Sequence, residues 1–183
     1  MTVGDNPPLD EGSHGDTVSP LLVLIGAPGA GKTRLGKRIA RLLDVPFIDT
    51  DKRIVAEHGV IADIFTEHGE PHFRALERAA VVAALSEGAV VALGGGAVID
   101  EDTRRDLAAL PVVQLTVTAE AVTARIAGNK RPLLKNGIGA WSDLVATRQP
   151  IYDALAKRTF DTSTRPLDHI AVDIVDWIQE NKQ

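Results

Sequence analysis

The string Gly26-Ala-Pro-Gly-Ala-Gly-Lys-Thr33 constrains this chain more than any other feature. It has the spacing G-x-x-x-x-G-K-[ST]. The apolar run LLVLI (21–25) precedes it, and a stretch with Leu35, Ile39, Leu42 and Leu43 on one helical face follows. A buried strand, a glycine-rich turn and an amphipathic helix in that order make a phosphate cradle. Glycines let the backbone wrap closely and aim N–H groups inward. The helix N-terminus adds its positive end. Gly29, Ala30 and Gly31 are the candidate backbone contacts. Lys32 is placed to reach the β- and γ-phosphates, and the Thr33 hydroxyl to ligate Mg²⁺. This context implies nucleoside triphosphate binding and leaves the acceptor open.

The rest of the chain reads as α/β. Strands are expected at 45–49, 89–93 and 112–117, with a fifth in RTFDTS. Helices are expected near 51–58, 61–67, 70–86, 100–109, 118–126, 140–157 and 167–181. Strands alternating with helices imply right-handed crossovers and a doubly wound parallel sheet. Residues 127–139 hold Gly128, Pro132, Gly137 and Gly139 among basic residues and read as a loop, a natural lid. Residues 1–20 read as a flexible extension, because almost no large apolar side chain there could offset the entropy of ordering. Residues 21–183 then form one domain, a size usual for a single domain.

Composition removes several classes. The net charge is −5, which argues against a general nucleic-acid binder. Aromatics make up 4%, too few for a base-stacking platform. The absence of Cys excludes disulfides, thiolate zinc sites and cysteine catalysis. No apolar run approaches the about 18 residues of a membrane span. The first twenty residues have neither a basic nor an apolar leader region. The expectation is a soluble cytoplasmic protein.

Three clusters could carry chemistry at the strand ends, where ligands collect in open α/β sheets. The first is Asp49-Thr50-Asp51. Asp49 could hold Mg²⁺ through water. Asp51 could accept a hydrogen bond from a hydroxyl awaiting phosphorylation; it could equally cap the following helix. The second cluster is Gly94-Gly95-Gly96, whose bare backbone allows close approach and free N–H groups. The third is the arginines, which outnumber lysines 13 to 7 and suit bidentate binding of carboxylate or phosphate. Glu77 stands i, i+3 from Arg74 and can orient it. Arg131 lies in the lid. Arg148 lies in a helix near Pro150 and Tyr152. His68 and His72 have Gly69 and Pro71 between them, which spoils a zinc pair. Trp141 and Trp177 read as packing residues.

In chain order, GAPGAGKT, FIDTD (47–51), GEPHFRALE (69–77), GGGAV (94–98), RPLL (131–134) and RQPIYDALA (148–156) resemble the motifs of shikimate kinases. The similarity runs over about residues 21–180. The resemblance implies a P-loop three-layer α/β/α fold like that of nucleoside monophosphate kinases. Its five-stranded parallel sheet would have the order 2-3-1-4-5, with a substrate-binding helical region and a mobile lid. It implies transfer of the γ-phosphoryl group of ATP to the 3-hydroxyl of shikimate, with Mg²⁺, by a monomer.

The implied roles follow residue by residue. Lys32 and the loop backbone hold the phosphates, and Thr33 and Asp49 serve Mg²⁺. Asp51 binds the shikimate hydroxyls and is the candidate base. Arg74 and Arg148 clamp the substrate carboxylate, with Glu77 steadying Arg74. Gly94, Gly95 and Gly96 line the pocket, with Phe65 and Phe73 as apolar walls. Arg131 meets the phosphates as the lid cation, and Arg125 and Arg165 lie on the adenine side. A gluconate kinase or nucleoside monophosphate kinase would share the loop and lid, but Arg74, Arg148 and D-T-D favour shikimate. A GTPase would carry N-K-x-D, whereas Asn129-Lys-Arg-Pro132 lacks the Asp. A non-catalytic ATP-binding regulator would have no need of intact Lys32, Thr33 and Asp51.

Overall fold

A computed structural model describes residues 19–127 and 137–181. The element order begins β1 (Leu22–Gly26), α1 (Lys32–Leu43), β2 (Phe47–Asp49), α2 (Thr50–His58), α3 (Ile61–His68), α4 (Glu70–Leu85) and β3 (Val90–Ala92). A 3-10 turn (Ala97–Ile99) follows, then α5 (Glu101–Leu107), β4 (Val112–Thr116), α6 (Ala119–Ala127), α7 (Gly137–Leu155), β5 (Arg158–Asp161) and α8 (Leu167–Glu180). The strands form one parallel sheet in the order β2-β3-β1-β4-β5.

The expected order 2-3-1-4-5 is therefore the observed one. β1 is central and buried along its length, as a strand covered on both faces must be. Its alternation divides the core. Leu22 and Leu24 face Leu35 and Ile39 of α1 and Ile170 and Ile174 of α8. Val23 and Ile25 face Val81 and Ala84 of α4 and Tyr152 and Leu155 of α7. Ile54, Ile64, Phe73 and Ala80 make a smaller core that binds α2, α3 and α4 together.

The strand register brings the carboxyl ends to one edge. Gly26 pairs with Leu115, and both Leu24 and Asp49 pair with Ala92. The 26–31 loop, Asp49–Asp51, Gly94–Gly96 and Thr162 all leave the sheet there.

Two sequence expectations need correction. The loop read at 127–139 is too wide, since Ala127 ends α6 and Gly137–Gly139 open α7. Gly137 has φ +80°, which its missing side chain permits. The helix after β2 starts at Thr50, so Asp49 is its N-cap and Asp51 is not. The Asp49 carboxylate accepts from the Lys52 N–H at 3.2 Å. Asp51, the second residue of the helix, lines the cleft.

Candidate active site

The cleft at the strand ends has a volume of about 720 Å³ and is lined by Gly29, Lys32, Thr33, Asp49, Asp51, Gly95, Arg125 and Arg165, among others. Its floor is the phosphate loop. Gly29 and Gly31 have φ +85° and +90°, the left-handed region open to glycine. Lys32 is half-buried, and its Nζ donates to the carbonyls of Gly26 at 2.6 Å and Ala27 at 3.0 Å. Burial pushes the Lys32 ammonium down to about 8, against the opposing pull of Asp51 and Asp49; the Arg148 charge adds to the lowering. A phosphate bound beside it would favour the charged form.

Thr33 Oγ1 donates to Asp49 Oδ2 at 2.6 Å. The structure thus joins the two expected Mg²⁺ residues across 16 positions of sequence. Asp51 stands beside them, and burial pushes its carboxyl up to about 6. Asp49 and Glu77 push the same way, while Lys32 and Arg74 partly oppose. A carboxylate in that range can take a proton near neutral pH.

Each glycine of the triplet makes room for a different group. A methyl at Gly94 would collide with the Asp51 carboxylate and lie 3.1 Å from Glu77 Oε1. One at Gly95 would lie 3.2 Å from Pro28 Cδ, and one at Gly96 2.6 Å from Arg74 Nη1. The triplet is where Asp51, the phosphate loop and Arg74 converge.

Arg74 Nη1 donates to Glu77 Oε2 at 2.6 Å, and Nε and Nη2 donate to Glu70 Oε1 at 3.2 and 3.1 Å. Glu77 is 4% exposed, so the acidic side of this pair is sheltered. Burial raises the Glu77 carboxyl, and Arg74 and Arg148 pull it back. Arg148 is half-buried and makes no ion pair among the described residues. Its charge is felt at Lys32, Glu77 and Tyr152. Phe65 and Phe73 stack with centroids 4.6 Å apart, Phe73 buried and Phe65 open at 37%. The Arg74 guanidinium lies 5.4 Å over the Phe73 ring.

On the other flank, Arg125 Nη1 donates to the Gly29 carbonyl at 2.9 Å and to Thr162 Oγ1 at 3.3 Å, and Nη2 to the Thr162 carbonyl. Arg165 lines the cleft and pairs with Asp173 at 2.8 Å. Arg131 lies outside the described residues, as does the lid over 128–136.

Four site contacts escaped sequence reasoning. Buried Thr50 Oγ1 accepts from the Gly94 N–H at 3.1 Å, joining D-T-D to the triplet. Buried Thr162 Oγ1 donates to the Ala30 carbonyl at 2.9 Å. Trp141 Nε1 donates to the Pro28 carbonyl at 2.9 Å, and the Tyr152 hydroxyl donates to the Gly95 carbonyl at 2.7 Å. A clue existed for the last: Tyr152 stands four residues after Arg148, on the same helical face. No spacing rule ties the other three to their distant partners.

The comparisons with known proteins point to one family. A family model described as shikimate kinase matches residues 28–179. The shikimate kinase of Salinispora tropica is 45% identical over 161 residues, covering 86% of this chain and 96% of the relative. That of Thermobifida fusca is 48% identical over 148 residues, covering 79% and 86%. A solved structure of shikimate kinase from Acinetobacter baumannii in complex with shikimate superposes with a TM-score of 0.81 at 34% identity, covering 91% of this chain and 96% of that one. With the phosphate loop, the paired Thr33 and Asp49, and the Asp51–glycine–Arg74 corner at one edge of the sheet, the chain belongs to the shikimate kinase family of small-molecule kinases.

Proposed function

We propose that this chain transfers the γ-phosphoryl group of ATP to the 3-hydroxyl of shikimate, giving shikimate 3-phosphate and ADP for aromatic amino-acid biosynthesis. The observation that carries the reading is the Asp51 carboxylate set against Gly94, in the cleft that also holds Lys32 and Thr33. In the reaction a bond forms between the acceptor oxygen and γ-phosphorus, and the bridging bond to the β-phosphate breaks. The hydroxyl proton passes to Asp51, or is drawn toward it while the oxygen attacks. The loop N–H groups and Lys32 hold the phosphates in line. Arg74, steadied by Glu77 and Glu70, and Arg148 clamp the acceptor carboxylate. Phe65 and Phe73 wall its ring.

The Thr33 hydroxyl and Asp49 carboxylate are hard oxygen donors already in contact, so they fit Mg²⁺, which favours oxygen and keeps several waters. When bound, Mg²⁺ neutralises charge on the β- and γ-phosphate oxygens. The same reading takes the enzyme as a cytoplasmic monomer; sedimentation of the full chain checks the monomer, with a two-chain species as the contrary result. No helix among the described residues is long and apolar enough to cross a membrane.

The test is ADP release over a panel of shikimate, gluconate and nucleoside monophosphates. Turnover with shikimate above the others is expected. Turnover with another acceptor and none with shikimate would overturn the assignment.

A further inference from the structure

Trp141, Arg148 and Tyr152 stand seven and four residues apart on α7 and share one face. Trp141 and Tyr152 are buried, at 7% and 1% exposure. Each spends its one polar donor on a loop carbonyl, Trp141 on Pro28 at 2.9 Å and Tyr152 on Gly95 at 2.7 Å. Those two carbonyl residues abut one another. A methyl at Gly95 would lie 3.2 Å from Pro28 Cδ and 3.5 Å from the Gly26 carbonyl oxygen.

Pro28 belongs to the loop after β1, and Gly95 to the turn after β3. Among the described residues no backbone hydrogen bond joins 27–31 to 94–96. Behind them the β1–β3 pairing ends at the Leu93 N–H bond to the Leu24 carbonyl, 3.0 Å; beyond it their spacing rests on the Pro28–Gly95 contact and on what grips both from outside. Buried aromatic donors suit that task, because their rings are locked by packing and their polar atoms must find a partner. Trp141 packs with Ala27 and Val122, and Tyr152 lies in the core beneath the triplet.

We propose that Trp141 and Tyr152 are positioning residues, and that α7 sets the distance between the loop holding the phosphoryl donor and the turn holding the acceptor. The inference rests on the kinase reading for the identity of those two ligands. The two residues touch no reacting atom. Their effect is on alignment, to which phosphoryl transfer is acutely sensitive. Arg148 sits between them on the same face, so the helix that spaces the loops also delivers the acceptor's cation.

The test uses the full chain with Trp141→Phe, Tyr152→Phe and the double substitution. Tyr152→Phe removes a single oxygen, so it keeps the question open to measurement if Trp141→Phe loses packing. At saturating substrates kcat should fall about three- to tenfold in each single variant, the scale of one lost hydrogen bond. It should fall by more than the product in the double variant. The Kd of ADP alone and of shikimate alone should stay within about twofold, since each loop keeps its own ligand contacts. Amide hydrogen exchange without ligand supplies a readout independent of turnover. Trp141→Phe should speed exchange in 94–98, and Tyr152→Phe in 27–31, each in the loop it does not touch. Exchange altered only in the directly bonded loop, kcat within twofold of wild type, or a loss confined to one ligand's Kd would overturn the proposal. Failure of shikimate as acceptor would overturn the kinase reading instead, and leaves the exchange result to judge this one.

Discussion

At the scale of single residues, the site sets two proton affinities away from their usual values. Asp51 is held near 6 chiefly by burial. Between the ordinary value of 3.8 and that point the folded chain keeps a proton that the unfolded chain has lost, so stability falls as pH rises through this window and stays lower above it. Asp51→Asn should therefore raise Tm by a few degrees at pH 8 and leave it unchanged near pH 4. The same substitution should lower kcat by about 10²–10⁴, the usual worth of a positioned base, with little change in ADP affinity. An unchanged kcat would remove Asp51 from the proton path. In the wild type, kcat/KM should rise with pH through about 6 as Asp51 ionises. Lys32 moves the other way, down to about 8. Phosphate bound beside it favours the ammonium, so ADP binding at about pH 8.5 should take up a proton. Calorimetry in buffers of different ionisation enthalpy reads this directly, and an enthalpy independent of buffer would separate Lys32 from the phosphates.

At the scale of elements, the position of α1 was legible from the motif before it, and Leu35 and Ile39 of its expected apolar face are buried. Leu42, expected on the same face, is 55% exposed. The sheet order was legible only through family resemblance, because periodicity names strands and not their neighbours. D-T-D shows the limit of local reading. Its two acids look alike in sequence, and only the helix start at Thr50 gives Asp49 the cap as well as a place in the cleft and leaves Asp51 without a capping role. Thr162 and Trp141 were opaque for another reason: their partners are carbonyls 132 and 113 residues away, and any sequence can offer a carbonyl. Packing between elements makes its own prediction. A methyl at Gly36 would press on the Phe47 ring and lie 3.2 Å from Leu24 Cδ1, so α1 seats against β2 only while Gly36 is bare. Overpacking costs about 1–3 kcal/mol, and the better helix propensity of alanine returns up to about 1 kcal/mol. Gly36→Ala should thus lose about 1–2 kcal/mol in urea unfolding. A gain in stability would mean that the helix can slide off β2.

At the scale of the whole molecule, charge and fold separate along the chain. Residues 1–20 hold Asp5, Asp10, Glu11 and Asp16 with no Lys or Arg, so they carry −4 of the −5. The remainder holds 20 basic and 25 − 4 = 21 acidic residues, a net −1. The overall acidity therefore says little about a cleft lined by Lys32, Arg34, Lys52, Arg125 and Arg165. The first strand begins at Leu22 and the family match at residue 28. We propose that residues 1–20 are an extension outside the catalytic unit. Chain lacking them should keep kcat and both KM values within about twofold, and its Tm within the shift of about 2–4 °C that 1 kcal/mol would produce. Because added acidic residues aid solubility and charge near zero favours association, the shortened protein should also precipitate at lower concentration near neutral pH. Turbidity against concentration, at low and at high salt, measures this. A shortened chain that keeps its solubility but loses turnover would place the extension at the site instead, and would make its four carboxylates part of how this enzyme handles its substrates.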